Sequence, residues 1–207
     1  MIYLLVGMKR EKVTSLVGRP RAFDTEEALD RAMQVFWRKG YLGTSLSDLT
    51  NAMGINRPSL YAAFGNKKSL FRKVLDRYLK GPSVYLSEAL REPTARAVVE
   101  RVFYGVVDLL TDPHTPRTCM WVHGALSCGE DPLRKEFAAQ RVAGFEGLRT
   151  RFRRAVTEGD LPINADADTL AHLVQTVNFG LTVQASTGAT RKELLQTMAA
   201  ALKAWPN

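Results

Sequence analysis

Cysteine is scarce in this chain: 207 residues hold two, Cys119 and Cys128. That excludes a disulfide framework and fits a reducing cytosol. Long apolar runs are missing too. The apolar start, MIYLLVG, is too short to cross a bilayer and lacks the basic-then-apolar order of a signal peptide. It reads as a tail, or as sequence upstream of a start at Met8. No phosphate-cradling glycine loop is present, nor a Ser/His/Asp or Cys/His order in a strand-turn-helix setting, so the sequence does not predict an enzyme. Asp166 and Asp168 lie close together, but at a helix start, where acidic residues are favoured for capping alone. No run of alternating β-branched residues competes with helical periodicity. What remains is an expected soluble, cytoplasmic, all-α protein.

Acidic residues are short in one place only. Residues 1–80 hold 15 Lys/Arg against 7 Asp/Glu, while residues 81–207 hold 14 of each, so the whole net charge of +8 lies on the N-terminal part. A solvated, solubilising surface is the plain reading of a basic protein. A scattered surplus would not leave the larger part neutral, so the distribution favours a polyanion-binding end on a neutral module.

Within the basic part, residues 43–64 read GTSLSDLTNAMGINRPSLYAAF. Ser45 is placed to cap a first short helix, with Leu46, Leu49, Ala52 and Met53 on one face. Gly54 falls where the chain must reverse, a position suited to positive φ. Asn56 is placed to cap a second helix, and Pro58 lies in its first turn, where a missing N–H costs nothing. Leu60 and Phe64 face inward while Arg57, Ser59 and Tyr61 point elsewhere. Two short helices around a glycine turn form a helix-turn-helix, and a helix so presented fits a DNA major groove.

Before it, Asp24 and Glu27 open a helix that runs to Lys39 and closes at Gly40, with Ala28, Ala32, Val35 and Phe36 as its buried stripe. After it, Asn66 caps a helix carrying Leu70, Phe71, Val74, Leu75 and Tyr78, which ends or bends near Lys80 before Gly81-Pro82. Further helices are expected near 94–111, 117–128, 132–158, 166–186 and 190–204. The domain division expected is a flexible basic arm over 1–22, a DNA-binding head over 23–70 and an effector and dimer module over 71–207. Arg19 and Arg21 of the arm are placed to follow phosphates or enter a minor groove.

These segments resemble the TetR/AcrR family of bacterial transcriptional regulators. The resemblance rests on GRPRAFD (18–24), FWRKGY (36–41), GTSLSDLTNAMGI (43–55) and SLYAAFGNKKSLF (59–71), the last carrying a Leu-Tyr-x-x-Phe-x-x-Lys-x-x-Leu signature. It covers about 55 residues well and the remainder loosely. The resemblance implies a homodimer joined through its last two helices, double-stranded palindromic DNA as partner, and a C-terminal pocket for a small-molecule effector. It implies backbone contacts from Thr44, Tyr61 and Lys67, and a base-facing surface at Asn56, Arg57 and Ser59, with Ser45 and Pro58 beside them. Hydroxyl and ammonium donors suit phosphate, and Arg57 suits bidentate pairing with guanine. Pro58 departs from the small or flexible residue usual there, so groove approach is individual to this chain.

For an effector, Phe103, Met120, Trp121, His123, Phe145 and Phe179 are the candidates, although a Met/aromatic set at helical spacing is more often plain core. For a dimer, the stripe includes Leu173, Val177, Leu181, Leu195, Met198 and Leu202. Cys119, His123, Cys128 and His114 lack the tight paired spacing of a four-ligand metal site, and buried free cysteine is common in cores, so no metal or cofactor is expected. Three readings follow: a ligand-released repressor, a DNA-binding regulator with a filled core and no small-molecule input, and an adaptor or enzyme using the basic face for another polyanion.

Overall fold

The computed structural model describes residues 23–126 and 133–206, and Arg19, Arg21 and Cys128 lie outside them. Ten helices are present among the described residues: α1 (Thr25–Lys39), α2 (Leu46–Met53), α3 (Arg57–Phe64), α4 (Lys67–Lys80), α5 (Val84–Ala89), α6 (Ala95–Thr111), α7 (Met120–Leu126), α8 (Arg134–Glu158), α9 (Ala167–Ser186) and α10 (Arg191–Lys203). Among the described residues, no helix is long and apolar enough to cross a membrane.

Local chemistry sets most boundaries. The carboxylate of Asp24 accepts the N–H groups of Glu26 and Glu27 at the start of α1. Asn56 and Asn66 accept the N–H groups of Ser59 and Ser69 at the starts of α3 and α4. Gly54 ends α2 in the left-handed region (φ 68°, ψ 30°), where a Cβ is strained. Helix α4 does stop at Lys80, and α5, unexpected from the sequence, fills part of the stretch between Gly81-Pro82 and Glu92-Pro93.

Two cores result. The second half builds one from α6, α9 and α10 with Leu148, Phe152 and Ala155 of α8. Arg151, buried beside it, donates to the carbonyls of Glu92 and Pro93 and so pins the turn before α6. The head builds the other from α1–α4, but draws in Leu109, Cys119, Met120, Val122, Leu133 and Phe137. The expected boundary between residues 70 and 71 thus falls inside α4, whose Leu70, Phe71, Val74, Leu75 and Tyr78 are all buried in the head core. Helix α7 and the start of α8 belong physically to the head.

The join is specific. Trp37 donates its indole N–H to the Thr118 carbonyl at 2.6 Å and packs edge-on to Tyr78. The Tyr78 hydroxyl lies 3.5 Å from Cys119 Sγ, and burial, the largest cause, raises the Tyr78 pKa well above its ordinary value. Phe137 rests on the bare backbone of Gly124, where an added Cβ would meet the ring at 2.2 Å.

Candidate nucleic-acid interface

The outer surface of the head is built from the starts of α2, α3 and α4. At the start of α2, Ser45 and Asp48 form a reciprocal capping box. Hydrogen bonds from Lys39, then from the Ser45 backbone and hydroxyl, hold the Asp48 carboxyl well below the usual carboxylate range. A depressed pKa stabilises above the unfolded value, about 3.9, and is lost only in stronger acid, so the box is intact at neutral pH. Ser45 is therefore at the expected surface, but its hydroxyl serves the cap.

Thr44 corrects the sequence reading. It is only 2% exposed, and its hydroxyl donates to the Gly40 carbonyl at 2.6 Å. The positive φ of Gly40 (68°) turns that carbonyl toward Thr44. A hydroxyl buried against α1 braces the loop and is not offered to a phosphate.

Asn56, Arg57, Pro58 and Tyr61 are exposed on α3, Tyr61 at 48%, and Ser59 is half-buried. Leu60 and Phe64 are buried on the opposite face, which fixes the direction of the outer one. Arg57 Nη2 lies 3.1 Å from Ser47 Oγ, tying the first residue of α3 to α2. Ser47 was not foreseen, because a serine ten residues upstream carries no local signal.

Lysines 67 and 68 open α4, and they diverge. Lys68 lies 3.7 Å from Glu136, which also takes a fork of hydrogen bonds from Arg72. Arg72, then Lys68, lowers the Glu136 pKa. Lys67 instead stands over the Tyr41 ring, 4.4 Å from its centroid. Tyr41 is a second residue the sequence did not offer, since it lies in a non-periodic loop.

The effector candidates do not come together. Phe103 is buried in the α6–α9–α10 core and Phe145 packs against it, while Met120, Trp121 and Phe179 pack with the head core. Phe145 stacks on His172 at 4.4 Å. Met120 and His123 do line a void with Phe36, Gly40, Tyr41, Phe71, Gly124 and Phe137, but it measures about 10 Å³, room for one water. The six were chosen as bulky helical residues, and close packing has used that bulk as core.

The dimer stripe also needs correction. Leu181, Met198 and Leu202 face the protomer's own core. Exposed apolar positions on α9 are Leu173 (37%) and Val183 (42%), with Val177 half-buried and Gly180 open, where an added Cβ meets nothing within 4 Å. On α10, Leu195 is half-buried while Ala199 and Ala200 are exposed. Helix α9 is apolar on both sides, so periodicity alone did not separate the outward stripe from the inward one. Among the described residues, no three His, Cys, Asp or Glu side chains gather as a metal site would require.

Residues 28–74 match the model of bacterial regulatory proteins, tetR family. The chain is 32% identical over 197 residues to the HTH-type transcriptional repressor ComR of Escherichia coli (strain K12), covering 91% of this chain and 92% of that protein. It is similar in structure to the TetR family transcriptional regulator CifR, solved as a cysteine mutant with 26-bp double-strand operator DNA. There the identity is 43%, the TM-score 0.85, and the coverage 91% of this chain and 100% of the other. A TetR transcriptional regulator from Rhodococcus sp. RHA1 shares 41% identity, with a TM-score of 0.60, over 88% of this chain and 100% of that one.

Proposed function

Because the chain belongs to the TetR family of bacterial regulatory proteins, we propose that it represses transcription as a homodimer on a palindromic operator. It is a transcriptional regulator and not an enzyme. Each protomer inserts α3 into a major groove, the two insertions lying about 34 Å apart on one face of the duplex. The observation that carries this reading is the outer face of α3, where Asn56, Arg57, Pro58 and Tyr61 are exposed over a buried Leu60 and Phe64. Tyr61 and Lys67 serve the phosphates, and Arg57, Asn56 and Ser59 serve base edges. Arg19 and Arg21 add backbone or minor-groove contacts.

The test separates two kinds of contact. Lys67→Ala weakens binding to all duplexes alike and flattens the salt dependence by about one unit of slope. Arg57→Ala relaxes preference at particular bases, costing about 1–3 kcal/mol of discrimination. Fluorescence anisotropy across salt concentrations, with a selection of bound sequences from a random pool, measures both. An Arg57→Ala variant with unaltered sequence preference would remove that residue from the reading surface.

The dimer face we infer is the exposed stripe Leu173, Val177, Gly180 and Val183 of α9, with Ala199 and Ala200 of α10. Val183→Glu places a charge on that stripe while leaving the protomer core untouched. It yields a folded monomer by light scattering and a steep loss of operator affinity. A dimer that survived it would move the interface elsewhere.

Release by a small molecule has less support than regulation of a filled core. The void lined by Met120 and His123 admits one water, and the remaining candidates divide between two cores. The expected response to a panel of small apolar and aromatic compounds is no rise in thermal midpoint and no release from DNA. One compound that did both would restore the ligand-released reading.

A further inference from the structure

The contact between Ser47 and Arg57 deepens the proposed reading of base edges by α3 and rests on that reading. A bidentate bond to guanine needs two guanidinium N–H groups aimed side by side at O6 and N7. An arginine on an open surface has many rotamers, and ordering it at the moment of contact costs free energy. Arg57 is exposed, and as the first residue of α3 it stands at the positive end of the helix dipole, which disfavours a cation. A group that orders its side chain without cancelling its charge prepares it for a base.

Ser47 is such a group. Its Oγ accepts from Arg57 Nη2 at 3.1 Å. A hydroxyl oxygen is neutral, so the guanidinium keeps its full charge. Nη2 carries two protons, one on the edge shared with Nε and one on the edge shared with Nη1. Ser47 takes one of them, which leaves the other edge with a whole parallel pair of donors. The serine is itself anchored. Helix α2 is fixed by its capping box and by buried Leu49 and Met53, and the Thr50 hydroxyl donates back to the Ser47 carbonyl at 3.2 Å. On α3, Pro58 locks the φ of the position after Arg57. Both backbones are held, so the hydrogen bond acts on the one part still loose, the Arg57 side chain.

We propose that Ser47 is a positioning residue for operator reading, holding the Arg57 guanidinium from α2 so that one intact N–H edge is turned to the base pairs. Arg57 touches the base and Ser47 acts through it, so the two residues are coupled in sequence preference.

The experiment compares Ser47→Ala, Ser47→Thr, Arg57→Ala and the Ser47→Ala/Arg57→Ala double variant in the full chain. The probes are a duplex selected by the parent protein from a random pool and its single-base-pair variants. Ser47→Ala lowers discrimination roughly two- to tenfold at the base pairs that Arg57→Ala relaxes, and leaves the other positions as they were. The salt slope is unchanged, since no charge is removed. Ser47→Thr keeps the hydroxyl and keeps the preference. In the Arg57→Ala background Ser47→Ala has no further effect. A loss as large there as in the parent would mean that Ser47 meets DNA itself, and would overturn the proposal. So would a Ser47→Ala variant with the parent's preference. Arg57→Ala without effect would remove the base-reading role first, and it shows this with no change at Ser47. One readout needs no DNA: nitrogen-15 relaxation finds the Arg57 Nε–H ordered in the parent and in Ser47→Thr, and more mobile in Ser47→Ala. Equal mobility in parent and Ser47→Ala would also overturn the proposal.

Discussion

Replacing Trp37 by alanine lowers the thermal midpoint by about 10 °C, the largest effect expected from any single change considered for this protein. Trp37 is completely buried, and truncating a large aromatic in a packed core costs about 3–5 kcal/mol. For a chain of this length each kcal/mol is worth about 2–4 °C. Two further losses accompany the cavity: the edge-on contact with Tyr78 and the hydrogen bond to the Thr118 carbonyl. Trp37→Phe separates them. It keeps a ring beside Tyr78 but strands the carbonyl, and loses about 1–3 kcal/mol. Differential scanning calorimetry of the two variants checks the order. A Trp37→Ala midpoint within a few degrees of the parent would mean that the join between α1 and the segment before α7 bears little of the stability.

Gly105→Ala comes next, and here the sign is the informative part. Within a helix, alanine is normally better than glycine by about 1 kcal/mol. At Gly105 an added Cβ would stand 2.3 Å from Cδ2, 2.5 Å from Cγ and 3.0 Å from Cβ of Tyr85. Those atoms lie at the root of the tyrosine, where a rotamer change gives little relief, so α5 itself must move away from α6. Overpacking of this kind costs about 1–3 kcal/mol and outweighs the propensity gain. The midpoint falls by about 5 °C. Tyr85→Ala in the same chain removes the obstacle, so the double variant loses less than the two single losses added together. A midpoint that rose on Gly105→Ala alone would show that α5 yields freely.

Helix boundaries were legible in the sequence wherever a cap is local. Asp24, Ser45, Asn56, Asn66 and Asp166 each accept a backbone N–H two or three residues on, a relation that spacing alone reveals. Helix α5 lacks a side-chain cap at Ser83 and spans six residues between two proline breaks, so nothing local announced it. Thr44 was expected at a phosphate from its place in the family resemblance, which carries no sign of the Gly40 carbonyl that engages its hydroxyl, since that depends on the backbone turn. The outward stripe of α9 was blurred because its core-facing neighbours are equally apolar. The contacts of Tyr41 and Ser47 were missed because each reaches a residue distant in sequence, Lys67 and Arg57, and tertiary contacts leave no trace in periodicity.

The make-up of the head core bears on what this regulator can exchange with its relatives. A chimera cut after α4 would carry α1–α4 away from Leu109, Met120, Val122, Leu133 and Phe137, which complete their core. Transplanting the helix-turn-helix onto another C-terminal half therefore requires moving α7 and the start of α8 with it, or redesigning the face they cover. New operator preferences are better obtained by resurfacing α3 in place.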